Sequence, residues 1–366
     1  MRTILSVVGT RPEGIKMAPV LQELERHSGE IRSVLVSTGQ HREMLDQVFR
    51  LFSLRPDVEL NLMRPNQTLS QLTGDLFGAL DQVVREQKPD WIVAQGDTTS
   101  VMVASLVAFY HRIAFGHVEA GLRTGDFFRP FPEEMNRRIA DLAAAAYFAP
   151  TARAVAALMA EGVEPARIHQ TGNTVIDALL QVAEMPFNRT TSLLAVVPEG
   201  SPMVLVTAHR RESFGEPFRE VCQAIRELAA IGAPDGLQIV YPVHLNPNVR
   251  GPVHEILDDL PNVHLLAPFD YFTMVHAMRS AALILTDSGG IQEEAPSFGV
   301  PVLVMRDTTE RPEGVEAGVV TMVGTDRRRI VAEAVARLQS PYSSGRATNP
   351  YGDGQAARRI AAVLLG

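Results

Sequence analysis

Residues 3–27, TILSVVGTRPEGIKMAPVLQELERH, decide the fold. TILSVV is a short, nearly continuous apolar run, the composition of a strand covered on both faces. A Gly-Thr-Arg-Pro turn follows, and PEGIKMAPVLQELERH then carries its apolar residues at helical spacing. Strand, turn and helix in that order make the first half of a βαβ unit, and SVLVST (33–38) supplies the returning strand. The alternation continues through HREMLDQVFRLF (41–52), DWIVAQ (90–95) and TSVMVASLVAFYH (99–111). It restarts after residue 200 with MVLVTA, LQIVYPV, VHLLAP, LILTDS and VPVLVM, separated by helical stretches such as FREVCQAIRELAAI. The expectation is an α/β protein with two parallel-sheet domains.

At 366 residues the chain exceeds the usual size of one hydrophobic core. EMPFNRTTSLLAVVPEGSP (184–202) lacks a period and holds three prolines, which places the join near residues 170 to 200. The expected division is 1–170, 171–350, and a terminal amphipathic helix within 351–366. Composition, 46% hydrophobic and 21% charged, is that of a soluble protein, and no segment approaches the roughly 18 apolar residues of a membrane span. The N-terminal apolar run ends in Arg-Pro-Glu and has no small-residue cleavage site, so a cytoplasmic location is expected. A net charge of −8 opposes nucleic-acid or anionic-lipid partners. Cys222, the single cysteine, has no disulfide partner and no companion zinc ligand, and reads as a small buried hydrophobe.

In open parallel sheets, ligands bind beyond the C-terminal strand ends, and with two domains the expected site is the cleft between them. The first strand leads into GTRPEGIK, where Arg11 and Lys16 lie near a helix start suited to phosphate; a surface-charge reading is equally open. The spacing is not that of a Walker loop, and no GxGxxG follows any strand. AQGDTTS puts Asp97 at a strand tip, either as a helix cap or as a reacting acid. FGHVEA reads as a strand ending at Glu119, and Glu133 and Glu134 follow among several arginines. Three acids at adjoining strand ends, Asp97, Glu119 and Glu133, favour proton transfer over simple solvation, because partial burial and neighbouring acids raise carboxyl pKa values. In the second half VTAHRRESFG presents His209, and YPVHLNPNV presents His244. LILTDSGGIQEEAPSFG runs a strand into Asp287, Ser288, Gly289 and Gly290, where glycines allow a pyrophosphate to approach the backbone.

Together GTRPEGIKMAPV, STGQHREMLDQV, QGDTTS, HVEAGLRTGDFFRPFPEEMNRR, TAHRRESFG, YPVHLNPNV, TDSGGIQEEAPSFGVPVLVMRDTTERPEG and NPYGDG resemble the non-hydrolysing bacterial UDP-N-acetylglucosamine 2-epimerases, from the first strand to the last helix. The resemblance implies two Rossmann-like domains of the glycosyltransferase-B architecture, with the final helix crossing back onto the first. It implies interconversion of UDP-GlcNAc and UDP-ManNAc through loss of UDP to a 2-acetamidoglucal and its re-addition, by a homodimer, with no metal and no cofactor. The proton work falls to Asp97, Glu119 and Glu133, with His209 beside the departing diphosphate. Arg11 and Lys16 line the substrate site, while Ser288, Gly289 and Gly290 hold the diphosphate. Glu294 binds ribose, and Arg311 and His244 face the nucleotide or sugar. Phe269 and Met274 flank the uracil where relatives often have Gln and Phe, which leaves backbone contacts to recognise the base. Gln40, His41 and Gln67 match a second, activating UDP-GlcNAc site; Glu43 and Asn66 depart from its pattern, so activation is expected to be weaker. A glycosyltransferase, or an epimerase that hydrolyses its substrate, is the alternative.

Overall fold

Seven parallel strands form the sheet of the first unit: β1 (Arg2–Val8), β2 (Ile31–Ser37), β3 (Val58–Glu59), β4 (Trp91–Gln95), β5 (Ala114–Val118), β6 (Ala146–Ala149) and β7 (Ile168–Gln170). Their order is β3-β2-β1-β4-β5-β6-β7. This computed structural model describes residues 1–39, 42–339 and 349–366. The unit comprises Met1–Ala178 and Tyr351–Gly366. Leu5, Val7, Val34, Val36, Ile92, Ala94 and Phe115 bury one face of the sheet against helices. Each large apolar side chain so buried contributes about 1.5–3 kcal/mol.

Strand order reverses between β1 and β4, so the loops after these strands diverge and open a crevice at the C-terminal edge. Gly9 ends β1 there. A Cβ at this position would stand 2.5 Å from Thr38 Oγ1 and 2.8 Å from Ser100 Oγ, so only glycine lets the loops meet. Thr10 then caps the helix Arg11–Arg26. The Glu13 carboxylate accepts from the Gly9 and Thr10 N–H groups at 2.6 and 2.9 Å, completing a capping box.

The last helix, Ala356–Leu365, belongs to this first unit. Asp177 accepts from the Ala356 and Ala357 N–H groups at 3.2 and 2.9 Å at its start. At its end the Arg2 guanidinium donates to the Leu364 and Leu365 carbonyls at 3.1 and 2.6 Å. An acid at the N-terminus and a cation at the C-terminus both interact favourably with the helix dipole.

The second unit, Leu179–Pro350, holds β8 (Met203–Thr207), β9 (Gln238–Pro242), β10 (Val263–Leu266), β11 (Leu283–Thr286), β12 (Val302–Val304) and β13 (Val320–Met322). Its six parallel strands run β10-β9-β8-β11-β12-β13, with the reversal between β8 and β11. Val204, Val206, Ile239, Tyr241, Leu283 and Leu285 anchor its core with Phe218 and Cys222 of the helix Glu216–Gly232. Burial pushes the Cys222 thiol up to about 12, consistent with a packing role. Among the described residues, no helix is long and apolar enough to cross a membrane.

Candidate active site

At the C-terminal edge of the first sheet Lys16 meets Glu119 after β5, and Asp97 follows the neighbouring strand β4. Glu119 follows β5 directly, and the strand stops at Val118, one residue short of the candidate acid, because Glu119 takes a left-handed backbone with φ of +67°. A non-glycine residue in that region carries strain of order 1–3 kcal/mol, which only a well-determined surrounding maintains. The surrounding is explicit. Lys16 Nζ donates to both Glu119 carboxylate oxygens at 2.6 and 2.7 Å. Asn173 Nδ2 donates to Oε1 at 3.0 Å, and the Gln95 amide donates to Oε2. The side chain is buried while remaining at the open edge of the sheet.

Asp97 lies two residues beyond β4. The cap of the following helix, Thr99–His111, is Thr98, whose hydroxyl accepts from the Val101 N–H, so Asp97 itself does not cap. Its carboxylate instead meets the Arg137 guanidinium, and Asn136 Nδ2 donates to its carbonyl at 3.0 Å. Both partners sit on the helix Glu133–Ala143. Glu133 opens that helix and is half-buried, whereas Glu134 is fully buried and bridges Arg138 at 3.1 Å and Arg137 at 3.4 Å. Glu134 is therefore the arginine-paired carboxylate of the two. Arg11 is the first residue of its helix and is half-buried.

In the second unit the loop after β8 and the loop after β11 are joined by Asp287. Its Oδ2 accepts from the His209 and Arg210 N–H groups at 2.6 and 2.7 Å. Its Oδ1 is buried without a hydrogen-bond partner, 3.7 Å from His209 Nδ1. Burial pushes the His209 imidazole below its usual range, the Asp287 charge opposes this, and His244 and Arg210 add to the fall. The His209 and His244 rings stack with centroids 5.3 Å apart, and exposed His244 accepts from the Asn246 N–H.

Gly289 and Gly290 open a short helix that ends at Glu294. A Cβ on Gly289 would lie 3.7 Å from Arg210 Nη2 and 4.0 Å from Arg311 Cζ, so two guanidinium groups flank bare backbone. That is the chemistry of an anion site. Ser288 donates its N–H to Thr286 Oγ1 at 2.9 Å, and Glu294 is buried, near enough that a Cβ on Gly290 would lie 3.5 Å from its Oε1. Arg311 is oriented by the Glu293 carboxylate. Phe269 is buried and Met274 half-buried, on either side of Asp270, which caps the helix Tyr271–Ser280.

Gln40 and His41 lie outside the described residues. Gln67 donates to Asp75 Oδ2 at 2.8 Å and lines an open depression of about 480 Å³ with Arg64, Asn66, Gln71 and Asp75. Among the described residues, no group of three or more His, Cys, Asp or Glu could hold a metal ion. Gln95, Asn173, Arg137, Arg210 and Asp287 were not singled out as site residues in the sequence. Asp287 stands beside the glycine pair and Arg210 beside His209, so adjacency was a usable signal for those two; Asn173 and Arg137 reach the acids only through folding.

Two doubly wound parallel sheets, each with polar side chains gathered at its reversal, define an α/β protein of the glycosyltransferase-B class. The glycotransferase of kitacinnamycin has this fold at 15% identity, with a TM-score of 0.65 over 100% of this chain and 99% of that one. The UDP-N-acetylglucosamine 2-epimerase family pattern matches residues 22–365. The UDP-N-acetylglucosamine 2-epimerase of Salmonella typhimurium is 52% identical over 371 residues, covering 99% of this chain and 98% of that protein. A crystal structure of UDP-GlcNAc 2-epimerase from Neisseria meningitidis bound to UDP-GlcNAc is 44% identical, with a TM-score of 0.87 over 99% of each chain. The chain belongs to the UDP-N-acetylglucosamine 2-epimerase family.

Proposed function

We propose that this protein is a non-hydrolysing UDP-N-acetylglucosamine 2-epimerase that interconverts UDP-GlcNAc and UDP-ManNAc. A carboxylate takes the proton from C2 as the C1–O bond to UDP breaks, and the C2–H electron pair becomes the C1–C2 double bond of a 2-acetamidoglucal. A second acid then delivers a proton to the opposite face of C2 while a diphosphate oxygen re-forms the bond to C1. Inversion needs proton donors and acceptors on both faces, and Asp97, Glu119 and Glu133 fill these roles. His209 serves the departing diphosphate.

The observation that carries this reading is Glu119: a buried carboxylate at a strand end, in a left-handed backbone, held by Lys16, Gln95 and Asn173. Lys88 and Arg112 share this backbone as helix C-caps, whereas Glu119 follows a strand and caps no helix, so its strain supports a functional role. Ser288, Gly289 and Gly290 with Arg311 bind the diphosphate, Glu294 the ribose, and Phe269 and Met274 the uracil; Arg11 and His244 contact the remainder of the substrate. Arg210, which shares the Gly289 position with Arg311, joins the diphosphate group.

The same reading includes a homodimer and a second UDP-GlcNAc bound as activator by Gln40, His41 and Gln67. Phe109, Tyr110 and Leu142, exposed on two helices of the first unit, support self-association. The enzyme acts in the cytoplasm without metal or cofactor and supplies ManNAc units for surface polysaccharide. Asp97→Asn, Glu119→Gln and Glu133→Gln are each expected to reduce turnover about 10²-fold or more while UDP binding stays measurable. Wild-type turnover in all three refutes the assignment.

A further inference from the structure

One buried titratable group of the first unit has no part in the mechanism above. His117, 1% exposed on β5, lies two residues before Glu119. Its Nδ1 is 2.6 Å from Asp141 Oδ1 and its Nε2 is 2.7 Å from the Gly96 carbonyl oxygen. A carboxylate and a carbonyl only accept hydrogen bonds, so the ring satisfies both only by carrying a proton on each nitrogen. Gly96 immediately precedes Asp97, and Asp141 lies on the helix that Glu133 begins.

We propose that His117 is a positioning residue, a buried imidazolium whose Nε2–H fixes the Gly96 carbonyl and thereby the placement of Asp97 relative to Glu119. This rests on the reading of those two carboxylates as reacting acids. Every charged neighbour fits. Asp141 Oδ2 accepts from Arg123 Nη2 at 2.7 Å and from the Gly121 N–H at 3.3 Å. Arg123 also pairs with Glu161 at 2.7 Å, and the Tyr147 hydroxyl, from the neighbouring strand, donates to the Asp141 carbonyl at 2.8 Å. Burial pushes the His117 ring down, but the Asp141 charge and the two hydrogen bonds more than reverse this against the opposing Arg123, leaving it above its ordinary value. If the ring lost a proton, one nitrogen lone pair would face either the Asp141 carboxylate or the Gly96 carbonyl, and that contact would open.

The test has two arms. Nitrogen-15 NMR of the full chain at about pH 7.5, a unit above the usual histidine pKa of ~6.5, is expected to show both His117 ring nitrogens protonated, with assignment by comparison to the His117→Gln spectrum, or to that of Asp141→Asn if the Gln variant does not fold. A ring with one proton overturns the proposal. In the second arm, the amide of Gln falls near the place of Nε2 and can still donate to Gly96, whereas that of Asn falls near Nδ1 and cannot. His117→Asn is expected to lower kcat about tenfold or more with KM little changed, the loss of one buried hydrogen bond, while His117→Gln stays close to wild type. Equal effects of the two folded variants, in either direction, overturn it; if neither folds, the NMR result decides. Asp97→Asn separates the two readings. Wild-type turnover there removes the acid assignment whatever His117 does, while an impaired Asp97→Asn beside an unimpaired His117→Asn removes the positioning role alone.

Discussion

Replacing Glu13 by Gln is expected to stabilise the first unit above neutral pH and to remove a pH dependence of the wild type. Glu13 is 2% exposed. Burial pushes its carboxyl from 4.5 up to about 7, although the Thr98 hydroxyl and the Gly9 and Thr10 N–H groups favour the charged form; the nearby Asp97 adds to the rise. A raised acid keeps its proton in the folded state at pH values where the unfolded chain has released it. Stability therefore declines as pH rises from about 4.5 to about 7, and the full shift corresponds to about 3 kcal/mol. Gln has the same shape. Its carbonyl can accept from the two N–H groups and its NH₂ can donate to Thr98 Oγ1, so the backbone donors stay paired and no charge is buried, while the half-buried Thr98 hydroxyl turns its proton elsewhere. Urea unfolding of both proteins at about pH 5 and about pH 8, followed by the fluorescence of the single tryptophan, Trp91 on β4, reads the difference. The variant is expected to gain about 2–3 kcal/mol on the wild type between the two pH values. A gap that stays constant or narrows refutes the reasoning.

Three further outcomes are expected. Asp177→Ala removes the acceptor for two N–H groups at the start of the last helix and is expected to cost about 1 kcal/mol in urea unfolding; an unchanged midpoint argues against the cap. Initial rates with UDP-ManNAc should start low and rise on addition of trace UDP-GlcNAc, with Gln67→Ala weakening the rise; equal rates with and without the trace remove the activating site. Product separation after incubation with UDP-GlcNAc should yield UDP-ManNAc with no free ManNAc, and free sugar would instead make the enzyme a hydrolysing one.

Much of the fold was legible because parallel strands covered on both faces read as continuous apolar runs, as TILSVV, DWIVAQ and LILTDS do. Three strands of the first sheet were less visible for physical reasons. β6 lies in DLAAAAYFAP, where alanine favours helix; β7 is three residues, IHQ; and β3 is a two-residue edge strand. The segments bearing Asp97 and Glu119 were legible because they follow strands in an alternating pattern, whereas Glu133, expected at a strand end, instead opens a helix well beyond β5. Their partners were not. Lys16 and Glu119 are 103 positions apart, and Asn173 a further 54 beyond Glu119, so the polar cage around that carboxylate exists only once the loops converge. Glu13 reads as an ordinary first-turn acid, and only its burial at the Gly9 turn makes it a titrating group near neutrality.

Proton NMR of the purified protein with UDP-GlcNAc in D₂O tests the central claim most directly. The account predicts that UDP-ManNAc appears and that solvent deuterium enters C2 of the sugar, with Glu119→Gln suppressing both. Epimer formation that retains the original hydrogen at C2, or no reaction at C2 at all, would contradict it.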